Sequence, residues 1–181
     1  MRKVLAVIGR PGTGKTTLFK QLISEKQWET VELVKLVNSL YCKELDLHIL
    51  GKYEEGEVFA GTDRLSMAVM PEVKKFIEQN PSNILFEGDR LTSSAFFEYL
   101  TELPDTEVKI IVLSANEDLL LKRYAERGSN QSDQFLKGRI TKLNNIRTNF
   151  SLMDNIETFD NNDLSDQAKI LSYIRNFLNM V

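Results

Sequence analysis

The 181-residue chain is 42% hydrophobic and 27% charged, a balance typical of soluble globular domains and too apolar for intrinsic disorder; its length suits one domain burying about 70% of its unfolded surface. Its lone cysteine, Cys42, excludes an internal disulfide and agrees with a reducing compartment. A net charge of −3 argues against indiscriminate nucleic-acid binding, and nothing approaches the roughly eighteen apolar residues of a membrane span, so a cytoplasmic protein without a membrane partner is expected.

The N-terminal MRKVLAVIG has an apolar run too short for a signal peptide, and Val4–Ile8 reads instead as a buried parallel strand. A glycine-rich turn leads into a helix over Lys15–Glu25, followed by a second strand over Val31–Val37. Leu40 to Gly61, with Gly51, Gly56 and Gly61, is the least regular stretch and reads as an insertion or flexible element of a substrate-side segment spanning about 40–70. Pro71 should end or kink the helical pattern at Leu65–Gln79. Then come a strand at Ile84–Phe86, a helix at Ser93–Leu103, a strand at Val108–Leu113, helices at Glu117–Arg127 and Asp133–Asn149, a weak strand at Ile156–Phe159 and a helix at Leu164–Met180. Alternating strands and helices imply an α/β fold: a five-stranded parallel sheet with helices on both faces and ligands at the strands' carboxyl ends. No linker or repeat divides residues 1–181, which are expected to form one domain.

The turn after the first strand, GRPGTGKTT, fits G-x-x-x-x-G-K-[ST], the phosphate-binding loop of P-loop NTPases. Gly9, Arg10, Pro11, Gly12, Thr13, Gly14, Lys15, Thr16 and Thr17 are therefore expected to cradle a nucleoside triphosphate. Lys15 would reach the β- and γ-phosphates, and the Thr16 hydroxyl would ligate Mg²⁺.

Three further segments carry chemistry. In GTDRLSM, Thr62 or Asp63 suits a helix cap; alternatively Asp63 accepts a proton from an acceptor hydroxyl while Arg64, with Thr62 beside it, binds the substrate. In FEGDRL, Glu87 and Asp89 emerge at a strand's carboxyl edge, where carboxylates hold Mg²⁺ or its waters, and Arg90 can grip an acceptor phosphate. In LLLKRYAERG, Arg123 and Arg127 stand four apart on one helical face. They are either a solvated face or the start of a lid over the triphosphate, at about 123–147. Glu117–Arg147 holds seven basic against four acidic residues, a net +3, while Asp154–Arg175 carries −3.

These pieces together resemble the thymidylate kinase family of P-loop kinases. The carriers are the phosphate loop, the Asp89-Arg90 pair followed by Ser93, Ser94 and Phe96, and the lid entry Arg123, Arg127, Gly128, spanning Val4 to about Phe150. The resemblance implies that Asp89 and Arg90 serve the acceptor and that Arg123 and Arg127 contact ATP phosphates. Two departures concern the acceptor pocket. Leu91 stands where that family has tyrosine, and its acidic-arginine-proline-glycine segment is replaced by Leu40–Gly61 and GTDRLSMAVMP. With ILFEGDRL, that replacement looks like the bacteriophage 5-hydroxymethyluridine DNA kinases. It implies phosphorylation of the 5-hydroxymethyl hydroxyl of 5-hydroxymethyluracil in phage DNA, a step in thymidine hypermodification, in the host cytoplasm. A flipped base would stack on aromatic residues, with Tyr53, Phe59, Phe96 and Phe97 as candidates.

The expectation is thus a P-loop kinase using ATP and Mg²⁺. Its catalytic set is Lys15, Asp63, Asp89, Arg90, Arg123 and Arg127, its acceptor is bound by Thr62, Asp63, Arg64 and Arg90, and its metal by Thr16 with Glu87 or Asp89. Asp63 and Asp89 are rival general bases. A free nucleoside or nucleoside-monophosphate kinase is the nearest alternative and a P-loop ATPase or switch the more distant one, while monomer and homodimer both stay open.

Overall fold

The computed structural model describes residues 1–57, 59–128 and 131–180. Its sheet is built outward from β1 (Arg2–Gly9), whose residues Val4 to Ile8 are wholly buried. Side chains alternate along a strand, so Val4, Ala6 and Ile8 enter one core and Leu5 and Val7 the other. The same two-sided burial explains the apolar runs of β5 (Asn83–Glu87) and β6 (Thr106–Ser114). Phe86 and Ile110 join the first core, and Leu85 and Ile111 the second.

Among the described residues the sheet has seven strands in the order β2-β3-β4-β5-β1-β6-β7, and it is mixed rather than the five-stranded parallel sheet expected. Strands β4 (Leu47–Leu50), β5, β1, β6 and β7 (Ile156–Asp160) run parallel; β2 (Glu29–Val34) and β3 (Val37–Cys42) add an antiparallel edge. The expected strand Val31–Val37 is in fact the hairpin between β2 and β3, broken by Leu36 at φ 70°. Its parallel place beside β5 belongs to β4, in the stretch read as irregular. All four residues of Leu47-His48-Ile49-Leu50 are buried, and His48 within the run hides it from an apolar pattern.

Helices α1 (Lys15–Ser24) and α6 (Leu164–Leu178) pack on the second core. On the first lie α2 (Met70–Gln79), α3 (Ser94–Thr101) and the inner face of α5 (Asp133–Arg147), with Leu143 and Ile146 buried. Pro71 kinks nothing, because α2 starts one residue earlier and proline fits the first helical turn, where no N–H partner is needed. Residues 62–64 form a separate 3₁₀ turn, so neither Thr62 nor Asp63 caps α2, whose N-cap is Val69. Helix α4 (Glu117–Arg127) ends on Gly128, and residues 129 and 130 of the expected lid lie outside the described residues. Among the described residues no helix is long and apolar enough to cross a membrane.

Candidate active site

Strands β5 and β1 are adjacent and parallel, and their register sets Val7 against Glu87. The turn after β1 and the carboxylate ending β5 therefore meet at the sheet's carboxyl edge, where an open α/β sheet reverses its strand order and binds ligands.

The loop from Gly9 to Gly14 is tied to itself. Thr13, fully buried, donates its hydroxyl to the Arg10 carbonyl at 2.7 Å, and Lys15 Nζ donates to the carbonyls of Gly9 at 2.9 Å and Arg10 at 3.0 Å. Burial pulls the Lys15 ammonium below its ordinary range, opposed chiefly by Glu87. Gly14 at φ 91° caps α1 in a left-handed conformation, and a Cβ there would lie 2.5 Å from Asn161 Nδ2. Glycine is thus required for both reasons. Arg10 points away from the loop and forms a bidentate pair with Glu117, at 2.7 and 3.1 Å. Pairing raises Arg10 and lowers Glu117 relative to their ordinary values.

Asn161, which the motif analysis missed, straps the loop from behind. Its Nδ2 donates to Thr13 O at 2.8 Å, and its own carbonyl accepts from Arg123 Nη2 at 3.2 Å while Arg123 Nη1 donates to Gly12 O at 2.8 Å. Its position directly after the last strand was the available signal. Of the two arginines expected in the lid, Arg127 lines the main cavity and Arg123 instead grips the loop's backbone.

Glu87 is 2% exposed. Its Oε1 accepts from Thr16 Oγ1 at 3.0 Å and from Tyr53 Oη at 3.3 Å. Burial pushes its carboxyl up to about 7, against the pull of Lys15, and burial likewise drives the Tyr53 phenol well above its usual value. Thr16 and Glu87 thus present a hydroxyl and a carboxylate side by side, a donor set that suits Mg²⁺. No cluster of three or more His, Cys, Asp or Glu stands ready for a metal among the described residues. An ion here would take its other oxygens from phosphate and water, as Mg²⁺ commonly does.

Asp63 is fixed by the opposite strand end. Its Oδ1 accepts from the backbone N–H of Asp89 at 2.9 Å and of Arg90 at 3.0 Å, while Thr62, buried, donates to the Glu87 carbonyl at 2.7 Å. The turn needs Gly88, at φ 109°, since a Cβ would lie 2.7 Å from Thr62 Oγ1. Arg90 Nη2 donates to the Asp63 carbonyl at 3.2 Å. Arg64 faces Glu54 at 3.3 Å and Glu57 at 3.9 Å, outside the residues lining the cavity. Asp89 is held from α5 by Arg139 and by Lys142, the latter at 3.0 Å.

A single cavity of about 820 Å³ joins these groups, with Lys15 and Thr16 at one end and Asp63, Asp89 and Arg90 at the other, under Tyr124, Arg127 and Arg139. Gln131 Oε1, which lines it, has no hydrogen-bond partner among the described residues. A second cavity of about 450 Å³ shares Gly12, Gly14 and Arg127 with the first and extends to Asn161, Asn162 and Gln167. Of the four stacking candidates, Phe59 lines the main cavity, Tyr53 is spent on Glu87, and Phe96 and Phe97 are buried in the core. Phe135, not considered from sequence, also lines the cavity.

Comparison with known proteins agrees with this architecture. A family model described as an AAA domain, AAA_18, matches residues 5–148. A protein named putative adenylate kinase from Methanosarcina acetivorans is 29% identical over 125 residues, which is 69% of this chain but only 59% of that relative's length. The structure of a gluconokinase from Sinorhizobium meliloti 1021 superposes with a TM-score of 0.53 at 15% identity, over 99% of this chain and 94% of that one. A sugar kinase from Janibacter sp. HTCC2649 gives 0.52 at 12%, over 99% and 95%. At such identities the likeness is one of fold. The phosphate loop, the Glu87 strand end and the arginine-bearing cover all lie within the matched residues, and the chain belongs to the AAA_18 family of AAA domains, built on the fold of P-loop kinases.

Proposed function

We propose that the protein transfers the γ-phosphoryl group of ATP, with Mg²⁺, to a hydroxyl of a nucleoside-like acceptor. The carrying observation is the one cavity lined at one end by the phosphate loop and at the other by Asp63, Asp89 and Arg90. A switch or motor ATPase needs only the first end; a kinase needs both.

In this reading the backbone N–H groups of Gly12 to Thr16 and the N-terminus of α1 hold the triphosphate. Lys15 exchanges its two carbonyl partners for phosphate oxygens, and Arg127 covers them. The nucleotide base lies in the second cavity, beside Asn161 and Asn162. Thr16 and Glu87 would hold Mg²⁺, which would supply neutralisation of the charge on the transferring phosphoryl group. Asp63 is the base, because its Oδ1 is anchored by two N–H groups while Oδ2 accepts no hydrogen bond from the described residues. Asp89, paired with two cations, serves the acceptor end as a counter-ion. The acceptor hydroxyl gives its proton to Asp63 as its oxygen bonds to the γ-phosphorus. The bond from that phosphorus to the β,γ-bridging oxygen breaks, and ADP leaves with the bridging oxygen.

Within this class, the 5-hydroxymethyl group of 5-hydroxymethyluracil in DNA is supported by GTDRLSMAV and ILFEGDRL, and by Phe59, 60% exposed at the cavity, as a stacking surface. A free nucleotide that takes the phosphoryl group on its phosphate oxygen, rather than on a hydroxyl, is the second reading and is supported by the relative named putative adenylate kinase. The test is incubation with γ-labelled ATP and, separately, 5-hydroxymethyluracil DNA, unmodified DNA, 5-hydroxymethyldeoxyuridine, thymidine monophosphate and adenosine monophosphate. Label in modified DNA alone supports the first acceptor, and label in a free nucleotide alone replaces it with the second. Phosphate release with no labelled acceptor overturns the kinase reading.

A further inference from the structure

The acceptor end of the cavity holds more positive charge than its own carboxylates use. Arg139 and Lys142, three apart and so on one face of α5, both reach the same oxygen of Asp89, Oδ2. Leu143 and Ile146, buried below, fix that face toward the sheet. The Arg139 guanidinium also lies over the Phe135 ring, 4.3 Å from its centroid. From the other side comes Arg90, whose Nη2 donates to the Asp63 carbonyl and whose buried Nε has no hydrogen-bond partner among the described residues. Asp63 and Asp89 bring two negative charges against these three cations. Burial pulls both Arg139 and Lys142 below their ordinary values, Lys142 further by the neighbouring Arg139 and Arg90, against the opposing charge of Asp63.

We propose that Arg90, Arg139 and Lys142 form a subsite for a phosphate group that the acceptor itself carries, and that this phosphate displaces Asp89 from α5. The inference rests on the reading of the cavity as a two-substrate kinase site and names the acceptor class: a phosphate ester with a separate hydroxyl. A tetrahedral phosphate offers oxygens in several directions at once, matching donors that arrive from the β5 end and from α5. A planar carboxylate fills one guanidinium fork and leaves the remaining cations to Asp89. A neutral nucleoside or sugar meets none of them. The phosphate is either the 5′-monophosphate of a free nucleotide or a phosphodiester of a DNA strand, and one exchange serves both: Asp89 loses its two partners as the acceptor gains them, so α5 stays closed over the acceptor.

The test compares matched acceptors with the wild-type protein, ATP and Mg²⁺: 5-hydroxymethyl-2′-deoxyuridine, its 5′-monophosphate, a short oligonucleotide with one 5-hydroxymethyluracil, and gluconate. At least one phosphate-bearing acceptor should exceed the nucleoside in kcat/KM by about tenfold or more, and which one does identifies the source of the phosphate. Arg139→Gln and Lys142→Gln should each raise KM for that acceptor about tenfold while KM for ATP stays within about twofold. Equal kcat/KM for nucleoside and phosphate-bearing acceptors, or a preference for gluconate, overturns the subsite and leaves the kinase reading intact. Equilibrium binding of the 5′-monophosphate and of the oligonucleotide, without ATP, separates the two ideas in the other direction. Binding weakened by both variants with no transfer to any acceptor upholds the subsite against the kinase reading, and binding indifferent to both variants overturns the subsite.

Discussion

Replacing Asp63 by Asn separates geometry from basicity at the acceptor end. The anchored oxygen accepts from Asp89 N at 2.9 Å and Arg90 N at 3.0 Å, and an amide oxygen can keep both bonds. The variant should therefore lose less than about 1 kcal/mol of stability, the difference between a charged and a neutral acceptor at a partly exposed turn. Its other terminus becomes an NH₂ donor that takes no proton. Removing a general base costs about 10²–10⁴-fold, or about 3–5 kcal/mol of barrier. Rapid-quench single turnover with labelled ATP and saturating acceptor reads the chemical step, and titration with a non-hydrolysable ATP analogue and urea unfolding read the remainder. The slowed step should appear with ATP affinity and unfolding midpoint close to wild type. Turnover within about fivefold of wild type, with binding and stability preserved, would refute the assignment. The proton would then go to Asp89, and freeing Asp89 from Arg139 and Lys142 would have to precede chemistry.

Three further outcomes test the frame around the site. Asn161→Ala removes the donor to Thr13 O and should cost about 1–3 kcal/mol, read by urea unfolding, and should raise KM for ATP more than KM for the acceptor. Gly88→Ala forces a Cβ to within 2.7 Å of Thr62 Oγ1 at φ 109°, and calorimetry should show a loss of at least about 2 kcal/mol. The single histidine sets a pH dependence. Asn80 Oδ1 accepts from Ser82 N, which orients Nδ2 toward His48 Nε2, so the neutral ring carries its proton on Nδ1, facing Ser39 Oγ. Burial lowers His48 from 6.5 to about 4. The unfolded chain therefore binds this proton first as pH falls, and the His48 share of stability is lost from pH 6.5 down to about 4, by about 2 kcal/mol between pH 7 and 5, while Glu87, raised to about 7, gains stability over the same range. The His48 share is the difference between wild type and His48→Gln in the change of urea midpoint from pH 7 to 5, and an equal change in the two proteins sinks the assignment.

How much of this was legible in the sequence depended on where each residue's partners lie along the chain. The phosphate loop is strand, turn and helix in one contiguous stretch, so GRPGTGKTT carries its own context. β1 and β6 announce themselves because burial on both faces leaves the apolar runs Val4–Ile8 and Ile110–Leu113. The acceptor half has no such locality. Asp63 has the local look of a helix cap, yet its partners are the backbone N–H groups of Asp89 and Arg90, 26 and 27 residues on. β4 is hidden by His48, whose burial makes sense only with Ser39 and Asn80 beside it. Asn161 reads as an ordinary polar residue until the fold brings it to Thr13, and Lys142 as one more charge of the expected basic lid until the fold brings it to Asp89.

The stretch from Leu40 to Gly61 shows why such a miss bears on function. It contains the second half of β3 and all of β4, and beyond β4 the chain is pinched by a bridge between Lys52 and Gly61, at 3.1 and 2.8 Å. The loop so closed carries Tyr53 to Glu87 and Phe59 to the cavity, and hands the chain on to Thr62 and Asp63. Glycines here do not mark slack. Gly51 lies against Gly61 so closely that a Cβ would stand 2.2 Å from its carbonyl carbon, and the pinch could not close around any larger residue. The donor half of the site is thus written in a motif that many proteins share. On the proposed kinase reading, the acceptor half is shaped by a segment whose glycines imitate irregularity, and substrate choice is to be sought between Gly51 and Asp63 and on the Arg139–Lys142 face of α5.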